Sequence, residues 1–162
     1  MIAVKKSRVC VLNLLLIHMA IGEITFGTPA FDEALVLRDK ILRQPLKLKF
    51  HTADIEQEWQ EIHLGSYDDV NGMLLGCLSL RIVDDHTLKM RQVAVAVAAQ
   101  GKGIGRQLVI AAEAWGRQQG YDTMKLHARE TAVPFYEKLN YQTLGDRFYE
   151  VNLPHFAMEK KI

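Results

Sequence analysis

Apolar and polar positions alternate through TLKMRQVAVAV (87–97), which predicts a strand, and MLLGCLSLRIV (73–83) predicts its neighbour. Asp84, Asp85 and His86 supply the turn between them. The period then changes. Ile104, Leu108, Ala111, Ala112 and Trp115 recur at helical spacing, and Gly120 provides the C-terminal stop. TMKLHA (123–128) returns to alternation, with Met124, Leu126 and Ala128 on one face and His127 on the other. Pro134 opens a short helix through Leu139, stopped by Asn140 in a left-handed role that glycine often plays. Two strands, near 141–150 and 155–161, close the chain.

The first third reads less regularly. GEITFG (22–27) is a short strand, and Thr28 is the N-cap of a helix with Pro29 at its first position and Asp32 and Glu33 in its first turn. Phe31, Ala34, Leu35, Arg38, Ile41 and Leu42 keep helical spacing until Pro45. DIEQEWQEIH (54–63) predicts a second, acidic helix. The order is βααβββαβαββ, an α/β fold with a mixed central sheet flanked by helices in three layers.

Ahead of this domain lies an apolar run. Lys5, Lys6 and Arg8 precede residues 9–21, and the pattern resembles a secretory signal peptide. Asn13 and His18 interrupt the run, which is short for a membrane span. Two other readings stand beside it: an extra N-terminal strand or helix, or residues upstream of a natural start at Met19. The expected division is an extension over 1–22 and one folded domain over 23–162.

Composition removes several function classes. The 162 residues fit one domain, and 24% charged residues nearly cancel at net +1, so no global charge points to nucleic acid or an acidic surface. Cys10 and Cys77 are too few for a disulfide framework and are expected as reduced thiols in the cytoplasm. The six histidines are dispersed and form no metal-binding pattern, so no metal is expected.

The chemistry concentrates in QGKGIG (100–105). A strand, three glycines and a helix start place several unpaired N–H groups around one concavity, with the helix dipole behind them. Such a site suits a phosphate or pyrophosphate, and Lys102 and Arg106 add positive charge. A flexible strand-to-helix turn is the alternative. Walker spacing fails because Gly105 is followed by Arg106 and Gln107, and GxGxxG fails from either Gly101 or Gly103.

What fits is Q-x-x-G-x-G, filled by Gln100, Gly103 and Gly105. Here the sequence resembles the GCN5-related N-acetyltransferase (GNAT) superfamily. VAVAVAAQGKGIGRQLVIAAEAWGRQQG is similar to its strand–loop–helix unit, and ARETAVPFYEKLNY to its downstream strand and helix. The resemblance runs from about Glu23 to Ile162. It departs from the family's habit at Val97 for proline, Asn140 for glycine and Arg129 for asparagine, and Arg129 puts one usual cofactor contact in doubt.

The resemblance implies acetyl-CoA as acyl donor, with the pyrophosphate on Gln100, Gly101, Lys102, Gly103, Ile104, Gly105 and Arg106. Pantetheine would pair with the strand edge at Val93, Ala94 and Val95. Tyr136 matches the tyrosine facing the sulfur and would be general acid to the thiolate; its alternative is a core aromatic beside Phe135. Glu150 and His155, the latter in EVNLPH, are candidates for the base, with His127 and Glu130 beside them. The expected acceptor is a small-molecule amine, with no nucleic acid or membrane partner, and a homodimer is implied. The acidic DIEQEWQE segment with Trp59 either attracts a cationic amine or is a solvated helix with one buried Trp. Two other functions fit the loop: an acetyl-CoA sensor without turnover, and a scaffold binding another phosphate ligand.

Overall fold

The computed structural model describes residues 19–162. The signal-like segment and Cys10 lie outside them, apart from residues 19–21. A seven-stranded mixed sheet runs in the order β1-β2-β3-β4-β5-β7-β6. Its strands are β1 (Met19–Ile24), β2 (Ile62–Asp68), β3 (Leu74–Ile82), β4 (Thr87–Val95), β5 (Thr123–Arg129), β6 (Gln142–Glu150) and β7 (Leu153–Lys161). The helices are α1 (Pro29–Arg38), α2 (Thr52–Glu56), α3 (Ile104–Gln119) and α4 (Val133–Glu137). The elements named from the sequence appear in their predicted order, but β2 is an additional strand that none of them covered.

Three local readings change. β1 starts at Met19, so the expected boundary after residue 22 cuts through a strand. The predicted 54–63 helix is shorter: α2 and a 3-10 turn (Gln57–Gln60) occupy its start, and β2 claims Ile62 and His63. Acidic and apolar positions alternate poorly here because Glu58 and Glu61 are buried on ion pairs rather than solvated. α1 has the Thr28 cap and Pro29 start expected, but continues as a π-helical stretch (Asp39–Arg43) before the turn at Pro45.

Two apolar clusters cover opposite faces of the sheet. α3 packs Ile104, Leu108, Val109 and Ala112 against Leu78, Leu80, Leu88 and Met124, a large core worth about 25 cal/mol per Å² of apolar surface buried. On the other face α1 sets Phe31 and Ala34 over Cys77 and Ala94. The buried Arg38–Glu58 pair, with N···O contacts of 2.6 and 2.7 Å, ties α1 to the 3-10 turn.

The sheet is two halves joined narrowly. β4 and β5 run parallel and pair only from Thr87↔Thr123 to Met90↔Leu126. Beyond Met90 a bulge interrupts β4: the β3 register passes from Ser79↔Arg91 to Cys77↔Ala94, and Gln92 has φ 54°. One extra residue bends the strand and exchanges its faces, so Arg91 and Ala94 share a side. The strands part there, and the gap opens the functional site.

Candidate active site

The glycine turn joins β4 to α3. Gly103 is the α3 N-cap at φ 83°, with no side chain capping the helix and no acidic residue in its first turn. Its first N–H groups therefore stay available to a ligand. A Cβ built on Gly103 meets nothing within 4 Å, whereas one on Gly105 would touch Phe135 at 3.5 Å and Val95 at 3.6 Å, ordinary contact distances. Among the described residues, nothing fills the space above Gly103. Gln100 Nε2 donates to the Val95 carbonyl at 3.0 Å, so this side chain braces the strand end. Ile104 is buried against the core and offers the site only its backbone, while Lys102 and Arg106 are exposed.

The strand edge beside the turn is half open. The Ala96 N–H donates to Leu75 on β3 at 2.8 Å, so alternation directs the Ala94 backbone to β3 as well. Val93 and Val95 then present their backbone groups to the side from which β5 has departed. Of the three predicted edge residues, these two face the gap and Ala94 does not.

A cleft of about 790 Å³ fills the gap, within the usual range for a small-molecule site. Tyr136 is reached from both sides: it belongs to the core beneath α3 yet lines the cleft, together with Val93 and Gln100. Burial pushes its phenol pKa up to about 12. Opposite stand residues of the outward sheet face. His127 Nδ1 lies 2.9 Å from Glu150 Oε2, and Lys89 Nζ lies 3.2 Å from His127 Nε2. His155 is buried, with Nδ1 2.9 Å from the Leu153 carbonyl, and stacks with Phe148. Burial opposes charge on Glu150, but the His127 hydrogen bond and the charges of His127, His155 and Lys89 outweigh it and hold its pKa below the ordinary value.

Comparison with known proteins decides the family. The profile of the acetyltransferase (GNAT) family matches residues 34–141. The chain belongs to that family. A Bacillus subtilis protein named as a candidate acetyltransferase is 34% identical over 87 residues, 54% of this chain and 58% of the relative. The chain thus spans little more than half the length of this curated relative. Among solved structures, a candidate N-acetyltransferase from Lactobacillus plantarum superposes with TM-score 0.77 at 27% identity, over 88% of this chain and 97% of the other. A GNAT-family acetyltransferase from Elizabethkingia anophelis, with acetyl-CoA bound, gives TM-score 0.69 at 18% identity over 90% and 99%. The fold is the acyl-CoA N-acyltransferase fold.

Within this GNAT domain the acidic segment has a different place from the one its sequence suggested. Trp59 is 64% exposed and sits in a separate small groove with Glu61 and Arg81, not in the cleft. Glu58 is held by Arg38, and Glu61 by Ser79, Arg81 and Arg91. Only Asp54 of that segment lines the cleft. Neither the cationic-amine attractor nor the buried-Trp helix describes it. Arg129, the departure from the family's asparagine, donates to the Leu42 carbonyl at 3.1 Å and fastens β5 to the end of α1. Asn140 has the expected left-handed backbone at φ 67°. Glu130 pairs with Arg147 outside the cleft.

His127 was one of several histidines in the sequence; its bond to Glu150 distinguishes it. Lys89 and Arg91 were also legible as a same-face pair on an alternating strand, yet their meeting with Arg43 and Arg129 depends on the fold. Among the described residues, no helix is long and apolar enough to cross a membrane.

Proposed function

We propose that this protein transfers the acetyl group of acetyl-CoA to a primary amine by direct attack. The observation that carries the reading is the convergence of three features on one gap: an uncapped glycine turn, the open edge of β4, and Tyr136. The donor's pyrophosphate lies on the N–H groups of residues 103–106, with Lys102 and Arg106 at the rim. Its pantetheine amides pair with Val93 and Val95, and a backbone N–H near the bulge polarises the thioester carbonyl. The Elizabethkingia relative with acetyl-CoA bound supports the choice of donor.

The acceptor nitrogen forms the new C–N bond as the C–S bond breaks. His127 takes the amine proton at Nε2, its Nδ1–H held by the Glu150 carboxylate, and Lys89 Nζ already occupies the kind of position an acceptor amine needs. Tyr136 gives a proton to the thiolate. Its raised pKa keeps it protonated through neutral pH, as a donor must be. His155, bonded to its own strand, braces Phe148 and the imidazole against it. With an acyl donor made by central metabolism, the protein works in the cytoplasm.

Calorimetric titration with acetyl-CoA, followed by an amine panel read by free-thiol release, tests this. Binding followed by amine-dependent thiol release is expected. Absence of acetyl-CoA binding overturns the reading, and binding without release for any amine leaves a sensor.

A further inference from the structure

We infer that the amine acceptor carries a fixed anionic group, a carboxylate or phosphate oxyanion, which the cleft binds beside the reacting nitrogen. The inference rests on the acetyltransferase reading and specifies its acceptor.

The cleft is lined by five cationic side chains, Arg43, Lys49, Lys89, Arg91 and Arg129, against two carboxylates, Asp54 and Glu150. The chain as a whole is nearly neutral, so this imbalance is local. Most of it is also uncompensated. Arg91 is paired with Glu61, but Arg43, Lys49, Lys89 and Arg129 make no ion pair among the described residues. Arg43 lies over the Phe50 ring at 3.5 Å and reaches Gln92 Oε1 at 3.4 Å. Arg129 meets a backbone carbonyl, and Lys89 meets His127. Each contact fixes the cation's position without supplying a paired carboxylate, and only more distant acids act on them, Glu58, Asp54 and Asp39 on Arg43 and Glu150 on Lys89.

Four separate elements bring these charges together. Lys89 and Arg91 come from β4, Arg129 from β5, Arg43 from the π-helical end of α1 and Lys49 from the loop after it. Like charges gathered in one open cleft repel one another and raise the local concentration of anions. The donor's diphosphate does not account for them, because Lys102 and Arg106 of the glycine turn lie outside the cleft lining.

The same field assists the chemistry. An amine attacks only when neutral, and neighbouring cations disfavour its ammonium form. Lys89 reports this from within the cleft: burial lowers its pKa, and Arg91 and Arg81 lower it further, although Glu150 opposes them. An acceptor with an oxyanion at one end and an amine at the other would be held by the cations and deprotonated by them. A polyamine would be repelled.

The test uses the full chain saturated with CoA, so that added anions report on the cleft and not on the glycine turn. Inorganic phosphate, acetate and spermidine are titrated separately at matched ionic strength, and the His127 ring is followed by NMR. Saturable shifts with phosphate or acetate are expected, the stronger of the two naming the anion, and Lys49→Glu should weaken that binding at least tenfold. In the amine panel, glycine is paired with glycinamide, and glucosamine 6-phosphate with glucosamine. The anionic member of at least one pair should have kcat/KM at least tenfold higher. Saturation by spermidine alone, no saturation by either anion, anion binding indifferent to Lys49→Glu, or preference for the neutral member in both pairs overturns the inference. Each leaves the donor reading intact, since CoA saturation is established first.

Discussion

His127 Nδ1 and Glu150 Oε2 stand 2.9 Å apart, joining β5 to β6 across the strand between them. The pair puts an imidazole with a fixed tautomer at the cleft wall. His127→Gln should lower kcat by roughly a hundred- to ten-thousandfold, the range for a positioned base. Glu150→Gln should lose less, since it removes the negative charge beside the imidazole and leaves an amide oxygen that can still accept from Nδ1. Because the Glu150 pKa is lowered in the folded protein, its carboxylate is charged at neutral pH and the bond fails only as pH falls through that lowered value. A kcat–pH profile of both variants checks the order of the losses.

The glycine turn separates ligand effects from folding effects. Gly103 has φ 83°, so Gly103→Val is strained whatever binds, and it should lower both stability and CoA affinity. Gly105 is helical, and a methyl group there meets only ordinary contacts. Gly105→Ala should therefore unfold at or above the parent's temperature while CoA binding weakens more than about tenfold. Thermal melts with calorimetry decide this, and unchanged affinity in a folded Gly105→Ala protein removes the phosphate cradle.

Tyr136→Phe keeps the ring under α3 and removes only the proton donor. It should lower kcat by roughly ten- to a thousandfold with acetyl-CoA affinity nearly unchanged. An acyl donor with a more acidic thiol should show a smaller loss. With the phenol pKa raised to about 12, no descending limb from Tyr136 should enter the pH–rate profile of the parent below about pH 11. Equal losses with both donors would make the hydroxyl an orienting group.

Arg38 and Glu58 are each 2% exposed and bonded twice to one another. Glu58→Ala strands a buried guanidinium and should cost about 3–5 kcal/mol in urea denaturation. Replacing both residues by apolar ones of similar volume, Arg38→Met with Glu58→Leu, should recover most of that loss. A double variant as unstable as the single one would show that packing, not charge, dominates at this site.

A chain beginning at Met19 keeps all of β1, whose six residues pair with β2 from Met19↔Asp68 to Ile24↔His63. It should fold and bind CoA with parental affinity, measured by circular dichroism and calorimetry. Loss of the folded state would assign residues 1–18 a structural part.

The sequence by itself determined the parts whose physics is local. Thr28 caps and Pro29 starts α1 because one hydroxyl and one fixed φ suffice. Alternation put Met124, Leu126 and Ala128 against α3 and turned His127 outward, and the spacing of Gln100, Gly103 and Gly105 located the uncapped glycine turn. Tertiary structure decided what depends on residues far apart in the chain. β2 was hidden because Glu61 and His63 look solvated until Arg81, Arg91 and the Glu58 carbonyl are beside them. The bulge at Gln92 has no marker in an alternating run, yet it parts β4 from β5 and makes the cleft. The cleft's charge was equally hidden: two of the four acids of the DIEQEWQE segment, Glu58 and Glu61, are spent on internal ion pairs, while scattered cations converge from four elements. Burial and pairing set the effective charge of a site, and both are properties of the folded chain.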